Sequence, residues 1–174
     1  METSNFIEHW HELYIMLGTT AGALVGLLFI VMSLHLDKIR EQVDDNFRFT
    51  IEGARNNTYH LLTILIETAL VLMPQPLYLL GTELFVINVY GLRLPLSITF
   101  KYYRMNVKKG ERRSFPIVTI VTISLGYLLG MSGGFALIRH WEWGMYLLSI
   151  SLLMLLVRSV LTAWMFMFIK KTHQ

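Results

Sequence analysis

Three ionisable side chains stand inside long apolar runs of this sequence: Glu67, Arg93 and Arg158. A central arginine opposes membrane insertion by roughly 2.5–3.5 kcal/mol, while each Leu, Ile, Phe or Val favours it by roughly 0.3–0.6 kcal/mol. The runs therefore insert despite their charges, and the charges are expected to find partners. Glu67 lies ten residues past Asn57, and Arg93 lies ten past Glu83. At helical rise each is roughly 15 Å from the end of its run. Arg158 is fifteen residues past Trp143. The three are expected to converge near the bilayer midplane as one polar cluster, with Asn88 as a neutral member. One carboxylate cannot fully neutralise two arginines, so the surplus calls for carbonyls, water, a lipid phosphate or a transported anion.

Gly91 and Pro95 offer the carbonyl. Pro95 lacks the N–H that would bond the carbonyl of Gly91, which predicts a helix break between them. Irregular backbone at membrane depth is tolerated where it is buried in protein or lines a cavity. Two readings stay open: a polar cavity or conduction path, and a buried Glu–Arg cluster that fixes helix register. His9 and His11 are two apart, on different faces of a helix, and His35, His60 and His140 fall near the ends of apolar runs. No metal site is expected from them. No serine elbow, paired-carboxylate motif or phosphate-cradling glycine loop occurs, so neither an enzyme nor a bound cofactor is expected. The chain has no cysteine, which excludes disulfides and thiol chemistry.

The elements that must position these residues are apolar runs at 16–35, 57–73, 83–100, 116–138 and 143–169. Each has about the length that crosses ~30 Å of hydrocarbon, the second being the shortest. Hydrophobic residues make up 54% of the chain and charged residues 16%, which leaves too little polar surface for a water-soluble fold of this size. Twelve of the fifteen basic residues sit at 38–55, 101–113 and 170–171, on alternate sides of successive runs. Cationic residues near span ends stay cytoplasmic. The expectation is one all-α membrane domain over residues 1–174, a polytopic bundle of five spans. Its N-terminus lies outside and its C-terminus inside, with cytoplasmic linkers at 36–56 and 101–115. The net charge of +3 then reflects membrane orientation, and no nucleic-acid partner is expected.

Local signals refine this layout. Residues 5–16 read as an amphipathic helix on the outer face, anchored by Trp10 and Tyr14, with Asn5 and Glu8 at capping-box spacing. Linker 36–56 reads as helix, because Ile39, Val43, Phe47 and Ile51 step by four. Pro74-Gln75-Pro76 stops one helix, and Thr82 with Glu83 is expected to start the next. Ser114 and Pro116 mark the start of the fourth run. Gly18, Gly22 and Gly26 recur every four residues, as do Gly126, Gly130 and Gly134. Each set predicts a smooth stripe on which another helix packs closely, within the protomer or between protomers.

The stretches LGTTAGALVGLLFIVMSLHL and PQPLYLLGTELFV, with the pattern from Trp143 through Trp164, carry a resemblance. By these the chain resembles a family of small multispanning bacterial membrane proteins, some of them labelled modulators of a membrane-bound protease. The resemblance implies the helical architecture and a multi-pass place in the bacterial inner membrane, and no catalytic residues. On the residues themselves, two stripes, a small protomer and a surplus of central charge favour a homo-oligomer in the lipid bilayer. The leading expectation is channel-like or transport-like passage of a small ion or solute. The alternative is a non-conducting adaptor that modulates a membrane-protein partner, docking through 36–56 and 101–113.

Overall fold

Long runs rich in Leu, Ile, Val and Met satisfy their backbone most simply as helices, since no water is present in hydrocarbon to bond a free N–H or C=O. In a computed structural model, residues 2–34, 45–109 and 117–167 are described, and among them the regular structure is entirely helical. There are five such helices: α1 (Glu2–Leu34), α2 (Asp45–Leu72), α3 (Leu77–Lys109), α4 (Ile117–Ile138) and α5 (Gly144–Met167). Three contain segments long and apolar enough to cross a membrane: Trp10–Ser33, Ile120–Ile138 and Gly144–Trp164. The outward surface is itself apolar, with Phe29, Ile30, Val121 and Val157 exposed, as a lipid-facing surface requires.

Several boundaries differ from expectation, each for a local reason. The interfacial helix and first span are one 33-residue helix that starts at Glu2, upstream of Asn5. Nothing interrupts the ladder at the proposed junction. Thr19 Oγ1 bonds the Ile15 carbonyl at 2.8 Å, and Thr20 Oγ1 bonds that of Met16 at 2.7 Å, so both hydroxyls are returned to the helix itself. α3 begins at Leu77 instead of Thr82, because the N–H groups of Leu79 and Leu80 bond the Pro76 carbonyl at 3.0 and 3.1 Å. Proline serves at such a start, where its missing N–H is not needed. Gln75 holds the corner, donating to the Leu70 carbonyl at 3.0 Å and to Glu83 at 3.1 Å. Thr82 instead donates to Tyr78 within the helix. α3 also runs unbroken through Gly91 and Pro95 to Lys109, since one lost ladder bond does not end a helix anchored on both sides of it. In the linkers, 45–56 opens α2 and 101–109 closes α3. Positions 35–44 and 110–116, with Ser114 and Pro116, lie outside the described residues, as does the C-terminal end from 168.

Packing follows chain order. α1 lies on α2, α3 on α4 and α4 on α5, while α2 also packs against α5 and closes the bundle. The core includes Tyr14, Leu17, Leu61, Ile64, Tyr127 and Leu152, each 1% exposed or less. Three of the four tryptophans lie at one end, where Trp10 meets Tyr146 edge-on at 4.7 Å and Trp141 stacks on Trp143 at 5.5 Å.

Candidate functional site

The buried stripe of α2 is where the polar residues collect. Asn57, His60, Leu61, Ile64, Glu67, Thr68 and Val71 are all buried and recur at intervals of three and four, so they form one face. Three of these positions carry groups that exchange protons or hydrogen bonds freely. Each meets a polar side chain or carbonyl from a different helix.

Glu67 sits at the centre, fully buried. Its Oε1 accepts a 2.9 Å hydrogen bond from Asn88 Nδ2 of α3, while its Oε2 accepts none. Asn88 donates also to the Leu84 carbonyl at 2.9 Å, and its own Oδ1 is buried without a hydrogen bond. Toward the tryptophan-rich end, the Tyr14 hydroxyl of α1 accepts from Ser149 Oγ of α5 at 3.2 Å. Toward the other end, Tyr127 of α4 and His60 Nδ1 share a 2.7 Å hydrogen bond. Both tyrosines stand about one helical turn from the level of Glu67: Tyr127 fills the recess at Gly91, three residues past Asn88, and Tyr14 precedes by four residues Gly18, which meets Thr68. One helical turn beyond His60, Asn57 Nδ2 donates to the Ser159 carbonyl of α5 at 3.2 Å. The result is a seam of buried polar groups to which all five helices contribute, spanning roughly 15 Å along α2 from Asn57 to Glu67.

Two glycines make room for it. A side chain at Gly130 would occupy the space of the Asn88 amide, and one at Gly91 would occupy that of the Tyr127 ring. Gly91 is thus the recess for Tyr127, and Gly130 the recess for Asn88.

The structure brings together only part of the expected charge cluster. Glu67 and Asn88 are bonded. Arg93 points away from them on the outward face of α3, its guanidinium carbon 5.7 Å from the centre of the Tyr90 ring. A position three residues past Tyr90 shares that residue's face, and Tyr90 is exposed. Arg158 is half-buried on α5, beside Ser159 and so at the Asn57 level, where it does not hydrogen-bond Glu67. The partner of Glu67 is a neutral amide, not a guanidinium.

The glycine stripes divide as well. Gly134 lies against the backbone of Gly81 and Phe85 in α3, and Gly126 lies against Leu155 of α5. Gly18 meets the Thr68 hydroxyl, Gly22 has only the tip of Leu65 at 3.8 Å, and Gly26 faces open space. Gly133 and Gly144, which no four-residue spacing marks, form a second backbone contact between α4 and α5.

Tyr14, His60, Tyr127 and Ser149 join the site without having been singled out for it. The signal for His60 was present in its three-residue offset from Asn57 and seven-residue offset from Glu67. Tyr14, expected as a headgroup anchor of an interfacial helix, is instead fully buried because α1 packs it against α5, and Tyr127 looks in sequence like an ordinary aromatic residue of an apolar helix. Chemically, the seam offers one carboxyl group, one imidazole and several hydroxyls in a low-dielectric interior. Among the described residues no three His, Asp or Glu side chains gather as a metal would need. In comparison with protein families, curated proteins and solved structures, the chain matches none.

Proposed function

We propose that this chain is a five-span membrane protein that passes a small ion or solute, and that the Glu67 seam is its path. The carrying observation is Glu67 itself: a fully buried carboxyl group among helices of membrane-crossing length, bonded to a neutral amide. An ionisable residue retained at such a position marks an ion pathway or relay more often than a structural tie. α2 and α3 have buried faces packed against α1, α4 and α5, which supports their crossing alongside those three apolar helices. The aromatic girdle of Trp10, Trp141 and Trp143 supports one interface at that end, taken as the outside by the distribution of basic residues. Arg93 then extends along the bundle surface toward the headgroups. Assembly of copies in a bacterial inner membrane completes the reading, with the open side of α1 at Gly22 and Gly26 as the contact surface.

The test is flux. Purified protein reconstituted in vesicles is expected to dissipate an imposed gradient of a small ion or solute, and Glu67→Gln should slow it about tenfold or more. Vesicles as tight as protein-free ones to every species tried would overturn the reading. Reporter fusions after residues 110 and 140 should report opposite sides of the membrane. Finding both on one side would sink the five-span topology.

A further inference from the structure

We propose that Glu67 is a proton carrier, exchanging through Tyr127 and His60 toward the Asn57 end and through Tyr14 and Ser149 toward the Trp10 end. This rests on the conducting reading above.

Three observations carry it. The first is the orientation of Asn88. Asn88 gives its Nδ2–H to the carboxyl group and leaves Oδ1 unbonded against Gly130, so a neutral amide is the one side chain bonded to Glu67. That arrangement suits a carboxyl group that gains and loses a proton at Oε2, the oxygen that accepts no bond from the protein. The second is the scarcity of uncommitted carbonyls around Glu67 among the described residues. Hard cations need several oxygen ligands at once. α2 runs helically through Glu67 and α3 through Asn88, so most of the nearby carbonyls are committed to their own ladders. The third is what flanks the carboxyl group. A phenol, an imidazole and a serine hydroxyl each both donate and accept, as a proton relay requires. They stand in two bonded pairs on either side: Tyr127 with His60 at 2.7 Å, and Tyr14 with Ser149 at 3.2 Å.

The steps balance. Protonated Glu67 gives its proton to the Tyr127 oxygen across intervening water. In the same event the phenolic proton of Tyr127 moves to His60 Nδ1, leaving a carboxylate and an imidazolium. His60 then loses its Nε2 proton toward the Asn57 end. The carboxylate regains a proton from the Tyr14 hydroxyl, which takes one from Ser149 Oγ as Ser149 takes one from water at the Trp10 end. One proton crosses and each side chain returns to its starting charge; moving the His60 proton from Nδ1 back to Nε2 and turning the hydroxyls round resets the path.

The experiment is a panel on the full-length protein in vesicles, with an internal pH dye and a potassium–valinomycin potential. Na⁺, K⁺ and a neutral sugar are followed in parallel. Potential-driven proton entry is expected for wild type, falling about 100-fold in Glu67→Gln, the scale on which a positioned proton donor acts. Tyr127→Phe and Tyr14→Phe keep the rings and remove the hydroxyls, and each should slow entry about tenfold. A deuterium-sensitive carboxyl C=O infrared band should be present in wild type and absent in Glu67→Gln. Proton entry that is unchanged in both phenylalanine variants would overturn the relay, even if Glu67→Gln failed to fold. Glu67-dependent passage of Na⁺, K⁺ or sugar without proton entry would reject the proton and keep the conducting reading. Vesicles tight to all four would reject both.

Discussion

α1 and α4 carry the same glycine spacing and use it in opposite ways. On α4, Gly130 and Gly134 are filled from α3 by the Asn88 amide and by the backbone at Gly81 and Phe85. On α1, the stripe fades along its length, from contact at Gly18 to open space at Gly26. The difference lies in the opposing helix. α3 brings its own glycine, Gly81, to face Gly134, so two backbones meet with nothing between them. α2 brings Thr68 and Leu65, whose side chains hold the backbones apart. A four-residue glycine spacing therefore marks a surface that permits close approach, and the partner decides whether it happens.

The largest effect expected from this comparison is at Gly134. A Cβ there would lie 2.8 Å from Phe85 N and 2.9 Å from the Gly81 carbonyl oxygen, and neither is a flexible side-chain tip that could move away. Gly134→Leu should cost more than about 3 kcal/mol, at or beyond the upper end for overpacking. Gly22→Ala meets only ordinary contact and should lie within about 0.5 kcal/mol of wild type. Thermal unfolding in detergent, read by circular dichroism, compares them directly. Equal melting temperatures for the two variants would show that the α3–α4 contact is looser than its geometry.

Next in size is the coupling of Glu67 to its partner. Asn88→Ala removes the donor from a fully buried carboxyl oxygen and should cost about 2–3 kcal/mol, the range for a hydrogen bond to a group that can carry charge. In the Glu67→Gln background the same change should cost less, giving a double-mutant coupling of about 1–2 kcal/mol. Arg93→Gln, on the outward face, should instead add independently to Glu67→Gln. Coupling to Arg93 with none to Asn88 would restore the charge cluster read from the apolar runs.

How much of this was legible in the residues follows from what each signal measures. Hydropathy reads composition along the chain, and it found α4 and α5 closely but only the membrane-crossing part of α1. It could not separate α2 and α3 as clearly, because Glu67 and Asn88 interrupt them for reasons set by the helix each one faces, and Arg93 interrupts α3 from its outward side. Depth along a helix placed Glu67, Arg93 and Arg158 at similar levels, but depth says nothing about rotation. Arg93 is five residues past Asn88, or roughly 140° around the helix, which turns it away from the seam. Gly91 is three residues past Asn88 and so stays on the α4 face, where Tyr127 fills it. Tyr14 and Ser149 became a pair only when α1 met α5, 135 positions apart in sequence. No local pattern reports such a contact.

The smallest predicted effect concerns a glycine that the chain does not use. The turn after α4 closes with the Trp141 N–H on the Ala136 carbonyl and the His140 N–H on that of Leu137, both at 2.9 Å. Those two bonds are the Schellman arrangement, which places a left-handed residue just past the helix and favours glycine there. His140 occupies it with φ of 59°. A left-handed conformation costs a side-chain-bearing residue about 1–2 kcal/mol, while glycine loses about 0.5–1 kcal/mol more backbone entropy on folding. His140→Gly should therefore stabilise the protein by about 0.5 kcal/mol, and the β-branched His140→Val should destabilise it. The contrast with Gly134 is one of mechanism. At Gly134 the side chain is missing for want of space, so any substitution pushes helices apart. At His140 the side chain is present and exposed, and only the backbone angle is strained. A lower melting temperature for His140→Gly than for wild type would mean that the imidazole contributes more at this turn than its backbone strain takes away.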